Sequence, residues 1–145
     1  IDLDLFKNVN DEYGHAVGDT ILTCYAEHIL STFRHHDMVA RYGGEEFAVI
    51  LPNTDLHGAM SALHKVQKEA AATTCHCGDV EIPAPTFSAG VALLHEDDNV
   101  ESLLKRADDA MYEAKQLGRN QIIVDRQDRL RAQHSSNKTQ TRDIN

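Results

Sequence analysis

The chain has 145 residues with 23 Asp/Glu against 14 Lys/Arg, a formal net charge of −9, and a length suited to about one domain. Five of the basic residues fall in residues 125–145, so residues 1–124 are more acidic still. This argues against a nucleic acid polymer as partner, because such binding rests mainly on neutralising phosphates. No apolar run approaches the ~20 residues of a bilayer span, and no signal peptide is visible.

Residues 1–5, opening Ile1-Asp2-Leu3-Asp4, read as a strand cut internally. Any membrane link is expected only through an unseen N-terminal region, and the domain itself is expected in the cytoplasm. Cys24, Cys75 and Cys77 are the three cysteines, a sparse odd set that suits a reducing compartment. Cys75-His76-Cys77 lacks the paired four-ligand spacing of a structural zinc site and reads as a loop with ordinary thiols.

Residues 17–33 place Ile21, Leu22, Tyr25, Ile29 and Phe33 at helical spacing, the stripe of a first helix. Strands follow at 38–42 and 47–51, separated by Gly43-Gly44, a pair able to adopt the positive φ of a tight turn. Pro52 and Asn53 stop the second strand, and residues 55–73 read as a second helix. Residues 78–85 form a loop or short edge hairpin, limited by Pro83 and Pro85. A strand over 86–94, a third helix from Val100 to Leu117 stopped by Gly118, and a strand over 121–124 complete the set. Residues 125–145 have almost no apolar content and are expected to be a disordered polar tail.

This order predicts an α+β sandwich with helices flanking a central, mostly antiparallel sheet. If the strand after Gly43-Gly44 inserts beside residues 1–5, Asp2 and Asp4 approach Glu45 and Glu46. Asp2 and Asp4, two apart on a strand, share a face while Leu3 packs on the other. Four carboxylates at one edge are tolerated either solvated and apart or neutralised by a cation. Oxygen-only ligands point to Mg²⁺ or Mn²⁺ rather than zinc. Lys7 follows the first strand, and Lys115 and Arg119 lie four apart at the end of the third helix. Each is either a surface charge or a phosphate contact; with no Walker-type glycine loop, phosphates would rest on the turn at Leu5-Phe6-Lys7 and on the metal.

Three motifs then occur in order. Residues 2–19 run from Asp2-Leu3-Asp4-Leu5-Phe6-Lys7-Asn8-Val9-Asn10-Asp11 to Tyr13-Gly14-His15 and Gly18-Asp19. Arg41-Tyr42-Gly43-Gly44-Glu45-Glu46-Phe47 and Ala114-Lys115-Gln116-Leu117-Gly118-Arg119-Asn120 follow. Over residues 1 to about 124 the chain resembles the GGDEF diguanylate cyclase family, in its GGEEF variant, with the family's first helical segment missing. The resemblance implies a ferredoxin-like, palm-type nucleotidyl cyclase fold and a bacterial signalling reaction that joins two GTP into cyclic di-GMP with release of pyrophosphate, as a head-to-tail homodimer.

It also assigns roles. Asp2, Glu45 and the Leu3 carbonyl would hold metal, with Glu46 as a further ligand or base and two ions per site. Asn10 and Asp19 would read the guanine edge, with His15 near the nucleoside. The backbone at Leu5 and Phe6, with Lys7, Lys115 and Arg119, would hold phosphates. Arg34 and Asp37, five residues and more before the glycine pair, correspond to an inhibitory product site. The competing readings are a degenerate GGDEF domain that binds GTP or cyclic di-GMP as a regulatory module, and an acidic interaction domain without a ligand.

Overall fold

Phe87, Ser88 and Ala89 are fully buried, and the strand they belong to organises the molecule. The computed structural model describes residues 1–140, with side chains through His134. In chain order the elements are β1 (Asp2–Leu3), α1 (Phe6–Tyr13), α2 (His15–Thr32), β2 (Met38–Arg41), β3 (Phe47–Ile50), α3 (Leu56–Ala71), β4 (Thr74–Cys77), β5 (Val80–Pro83), β6 (Phe87–Val91), α4 (Val100–Gln116), β7 (Ile122–Val124) and α5 (Arg126–Gln140).

β6 pairs antiparallel with β1, Asp2 opposite Ser88, and parallel with β7, Ala89 opposite Ile122. β2 and β3 form an antiparallel pair. A bridge between Asp2 and Glu46 joins β3 to β1, flanked by Leu3 N donating to Glu45 O at 3.2 Å and Phe47 N to Ile1 O at 2.8 Å. The strand carrying the two glutamates therefore does insert beside the first strand. The α+β expectation holds.

Alternation along β6 separates two helical layers. Phe87, Ala89 and Val91 join the core with Ile21, Tyr25 and Ile29 of α2 and Leu63 and Val66 of α3, and the Tyr25 ring meets Phe87 edge-on at 6.5 Å. Gly90 faces the other way: a Cβ there would lie 1.9 Å from Ala107 O of α4. Only a glycine lets α4 lie this close to the sheet, and this seating brings Lys115, in the last turn of α4, to β1. Among the described residues no helix is long and apolar enough to cross a membrane.

Three features differ from the sequence expectation. Phe6–Tyr13 is a helix rather than a turn after the first strand; its apolar stripe is only two turns long, Phe6 buried and Val9 partly buried against the core. Residues 74–77 and 80–83 form a hairpin turning at Gly78, φ 66°, so Cys75 is a strand residue. It is buried against α2, its Sγ 2.8 Å from Cys24 Sγ, and burial pushes its thiol up to about 12.

The third is the expected disordered tail. Residues Arg126–Gln140 are helical, and the start of α5 is anchored by ions rather than by apolar contacts. Asp128 is fully buried, accepting from Leu93 N at 2.8 Å and lying 2.6 Å from His95 Nε2. Arg106 of α4 reaches Asp98, Asp125 at 3.1 Å and Asp128 at 3.4 Å. Arg129 grips Glu113 with two bonds at 3.0 and 2.9 Å. All these partners lie outside the segment's own periodicity. The rest of the expected tail, residues 141–145, lies outside the described residues.

Candidate active site

Asp2 sits at the β1–β3 junction, 6% exposed, opposite Glu46 and one step from Glu45. Burial first, and then the negative charge of Asp2, raises the Glu45 carboxyl above the ordinary range, with Lys115 acting the other way and Glu46 adding to the rise. Lys115 Nζ lies 2.8 Å from Asp2 Oδ2. Lys115 thus faces both Asp2 and Glu45, with Glu46 adding further negative charge, an excess that a cation would relieve.

The glycine pair serves this edge differently from the expectation. Neither Gly43 nor Gly44 adopts a positive φ. Instead the Glu46 carboxylate folds over Gly43, where a Cβ would stand 2.6 Å from Glu46 Oε2. The turn is closed by Tyr42 N donating to Glu46 O at 2.8 Å, and by Arg41, whose guanidinium donates to Gly44 O at 2.7 and 3.1 Å and to Gly43 O at 3.2 Å. Arg41 stands in the motif without an assigned role; its function here is to hold the turn.

Asp4 does not join the cluster. It lies in the turn just after β1, and its carboxylate accepts from Thr86 Oγ1 at 2.7 Å, Ser88 Oγ at 2.6 Å and Asn120 N at 2.9 Å. The charges acting on Glu45 are those of Asp2, Lys115 and Glu46. Thr86, Ser88 and Asn120 are 82 to 116 residues away in the chain, so no local spacing reveals that Asp4 is already satisfied.

The donor set suits a hard divalent cation: carboxylates and a strand carbonyl, with an unbalanced charge at Glu45. Among the described residues, no group of three His, Cys, Asp or Glu side chains already converges at metal-binding geometry. Asp2, Glu45 and Glu46 are instead adjacent across two strands, with Lys115 as the present counter-charge. Cys75-His76-Cys77 offers no rival centre, since His76 Nδ1 turns to Glu81 at 3.1 Å.

The other candidates lie around this edge. Leu5, the N-cap of α1, has φ 55° and no side-chain oxygen to offer, so the first amides of α1 keep their capacity to bind an anion. Lys7 is exposed one residue on. Asn10 lies against the first turn of α2, where a Cβ on Gly18 would be 2.0 Å from Asn10 Oδ1; Asp19 is the next residue along α2, exposed, and His15 is exposed at its start. Arg119 is exposed in a loop that turns back after α4. Arg34 and Asp37 lie at the far end of α2, apart from the cluster and in contact with each other, Arg34 N donating to Asp37 Oδ2 at 2.7 Å. The other oxygen, Asp37 Oδ1, is buried without a hydrogen-bond partner, 3.9 Å from His36 Nε2.

Residues 1–121 match the family described as diguanylate cyclase, GGDEF domain. Diguanylate cyclase A of Treponema denticola is 42% identical over 125 residues, covering 86% of this chain and 33% of that protein. The chain therefore spans about a third of that relative's length. Among solved structures, the GGDEF domain of DgcB from Caulobacter crescentus in complex with c-di-GMP superposes with a TM-score of 0.80 at 32% identity, covering 85% of this chain and 73% of that one. The active GGEEF domain of a diguanylate cyclase from Vibrio cholerae gives 0.75 at 33%, covering 86% and 79%. With the motif residues brought to one sheet edge and this likeness over most of the chain, the protein belongs to the GGDEF diguanylate cyclase domain family.

Proposed function

We propose that this domain is a diguanylate cyclase, a metal-dependent nucleotidyltransferase that condenses two GTP into cyclic di-GMP and two pyrophosphates. The observation that carries the reading is the charge imbalance at the β1–β3 edge: a buried Asp2 beside a Glu45 whose carboxyl is raised by burial and by Asp2, with Lys115 as counter-charge. Asp2, Glu45, Glu46 and the Leu3 carbonyl are the proposed ligands of two Mg²⁺ or Mn²⁺ ions. A divalent cation at such a site lowers the proton affinity of a hydroxyl and offsets phosphate charge.

The chain's own groups bind and orient the nucleotide. The amides of Leu5 and Phe6 at the start of α1, with Lys7, take phosphate oxygens. Lys115 trades its Asp2 contact for a phosphate, and Arg119 adds a forked donor that matches phosphate geometry. Asn10 and Asp19 accept and donate at the guanine edge, which discriminates bases because a wrong edge leaves buried polar groups unpaired. His15 lies near the nucleoside. Glu46 acts as a second ligand or takes the 3′-hydroxyl proton.

Each domain holds one GTP, and two bonds must form between two nucleotides, so two domains face one another about a two-fold axis. Arg34 and Asp37 form the inhibitory product site. The orphaned Asp37 Oδ1 supports this assignment, since a buried acceptor without a partner is costly until a donor such as a guanine amino group meets it. The description of the Vibrio cholerae domain as an active GGEEF domain supports turnover with Glu at the third motif position.

The test is incubation with GTP and Mg²⁺ and mass detection of cyclic di-GMP. Product that disappears in Asp2→Asn supports the reading. GTP binding without product would instead make the domain a nucleotide-binding regulatory module.

A further inference from the structure

Gly118, Arg119 and Asn120 have φ of 112°, 65° and 49°. Three consecutive residues in the left-handed region, two of them with side chains, do not hold that conformation by their own preference. The loop is fixed from outside. Arg119 N donates to Ala114 O at 3.0 Å, and Gln121 Nε2 bridges Ala114 O and Arg119 O at 3.2 Å each. From α3, Gln67 Nε2 reaches Asn120 O at 3.0 Å and Asn120 Oδ1 at 3.1 Å. From the turn after β1, Asp4 Oδ2 accepts from Asn120 N at 2.9 Å.

We propose that Asp4 is a positioning residue for the phosphate end of the nucleotide, acting by locking the Gly118–Asn120 loop that presents Arg119. The inference rests on the reading of Arg119 as a phosphate contact. Among the loop's ties, the one to Asp4 is made by a carboxylate, and a charge-assisted bond to a backbone amide is the stronger kind. Asp4 is itself immobile: 5% exposed and held on its other lone pairs by Thr86 and Ser88. It stands two residues from Asp2, in the turn that leaves β1, and its amide is tied to the sheet through Thr86 O at 2.8 Å. The segment Asp2–Asp4 thereby touches both cationic groups before nucleotide binds, Lys115 through the Asp2 carboxylate that it exchanges for a phosphate and Arg119 through Asp4 and the Asn120 amide. Reacting groups must be held closely for catalysis, and an error of about 1 Å costs a large factor in rate. A buried carboxylate tied to the sheet through Thr86 and Ser88 is a stiffer reference for the arginine than its own exposed loop.

The experiment compares the affinities of GMP and of α,β-methylene GTP, which share the guanine and differ in the phosphates beyond the first. In the parent protein with Mg²⁺ the triphosphate analogue binds more tightly than GMP. Asp4→Asn, which keeps the size, removes the charge and leaves at most a neutral amide oxygen for the Asn120 amide, shrinks that ratio about ten-fold while GMP affinity stays within about two-fold. In an Arg119→Ala background the same change has no further effect on the ratio. Gln67→Leu removes the other outside tie to Asn120 without touching the buried carboxylate; it shrinks the ratio in the same direction, and decides the matter if Asp4→Asn does not fold. An unchanged ratio in Asp4→Asn, or in Gln67→Leu where that variant decides, alongside a collapsed ratio in Arg119→Ala, overturns the role of Asp4 and leaves the phosphate site standing. An unchanged ratio in Arg119→Ala overturns the phosphate reading itself.

Discussion

α4 carries a cation at each end, and the two meet opposite fates. Arg106, near its start, is surrounded by Asp98, Asp125 and Asp128, and those carboxylates have further donors: Leu93 N and His95 on Asp128, His95 N and Ser102 Oγ on Asp98. The hydrogen bonds from Arg106 and the His95 amide hold Asp98 down to about 2. Lys115, in the last turn, meets Asp2 alone at bonding distance, while Glu45 nearby is raised. Both regions are acidic clusters around one base. The first is saturated and fastens α5 to the sheet; the second is left unbalanced at an edge where a ligand can enter. An acidic cluster is marked as functional by donors it lacks, not by the number of its carboxylates.

The contrast can be broken from either side, and the saturated network gives the largest effect. Removing Arg106 strands three buried or half-buried carboxylates, so Arg106→Ala is expected to cost about 3–5 kcal/mol in urea unfolding, with α5 released first in hydrogen exchange. A loss below about 1 kcal/mol, of the size surface pairs contribute, would show that the network is decorative. At the other end Glu45→Gln inverts the pattern. Cyclase rate falls at least about 100-fold, the scale of about 2.7–4 kcal/mol for one group stabilising transition-state charge, yet the melting temperature at pH 7 stays level or rises. The sign follows from the raised Glu45 carboxyl: its stabilising share is present when protonated and lost as pH rises through its folded value, so a neutral side chain removes a repulsion. A rate within a few-fold of the parent would remove Glu45 from the site.

Arg34→Ala leaves the initial rate unchanged and raises the cyclic di-GMP needed for half-inhibition by one to two decades, the worth of a charge-assisted bond of about 1.5–3 kcal/mol. Parent protein showing no inhibition at micromolar product would make that site vestigial. The smallest effect is in acid. Asp98 is depressed, so its share of stability is present above the ordinary carboxylate value and is lost as pH falls from about 4 towards about 2. Asp98→Asn flattens that part of the thermal stability profile and leaves the neutral range parallel; an identical acid limb in both proteins would contradict the ion pair.

Much of the frame was legible because its signal is local. The stripe Ile21, Leu22, Tyr25, Ile29 marks α2, and Met111 and Ala114 mark the buried face of α4. The pairing of β3 with β1, which brings Glu46 to Asp2, is expected only on the condition that the strand after Gly43-Gly44 inserts beside the first, and the structure meets that condition. α1 and α5 were hidden for different reasons: α1 is short, its stripe only Phe6 and the partly buried Val9, and α5 is fixed by charges whose partners, Arg106 and His95, lie outside it. In the site, residue type and spacing revealed the carboxylates and bases. They could not separate Asp2, whose charge is open, from Asp4, whose three donors come from β6, its preceding residue and the loop after α4. Nor could they show that Gly43 lies under the Glu46 carboxylate and has no positive φ.

Binding of Mn²⁺ in the presence of α,β-methylene GTP, followed by electron paramagnetic resonance in parent protein, Glu45→Gln and Asp98→Asn, tests the contrast most directly. The unbalanced edge is expected to bind the ion in the parent and in Asp98→Asn, and to lose that binding in Glu45→Gln. Affinity should also weaken as pH falls into the raised range of the Glu45 carboxyl, sooner than an ordinary carboxylate would require. Equal Mn²⁺ affinity in parent and Glu45→Gln would contradict the assignment of this edge as the catalytic centre.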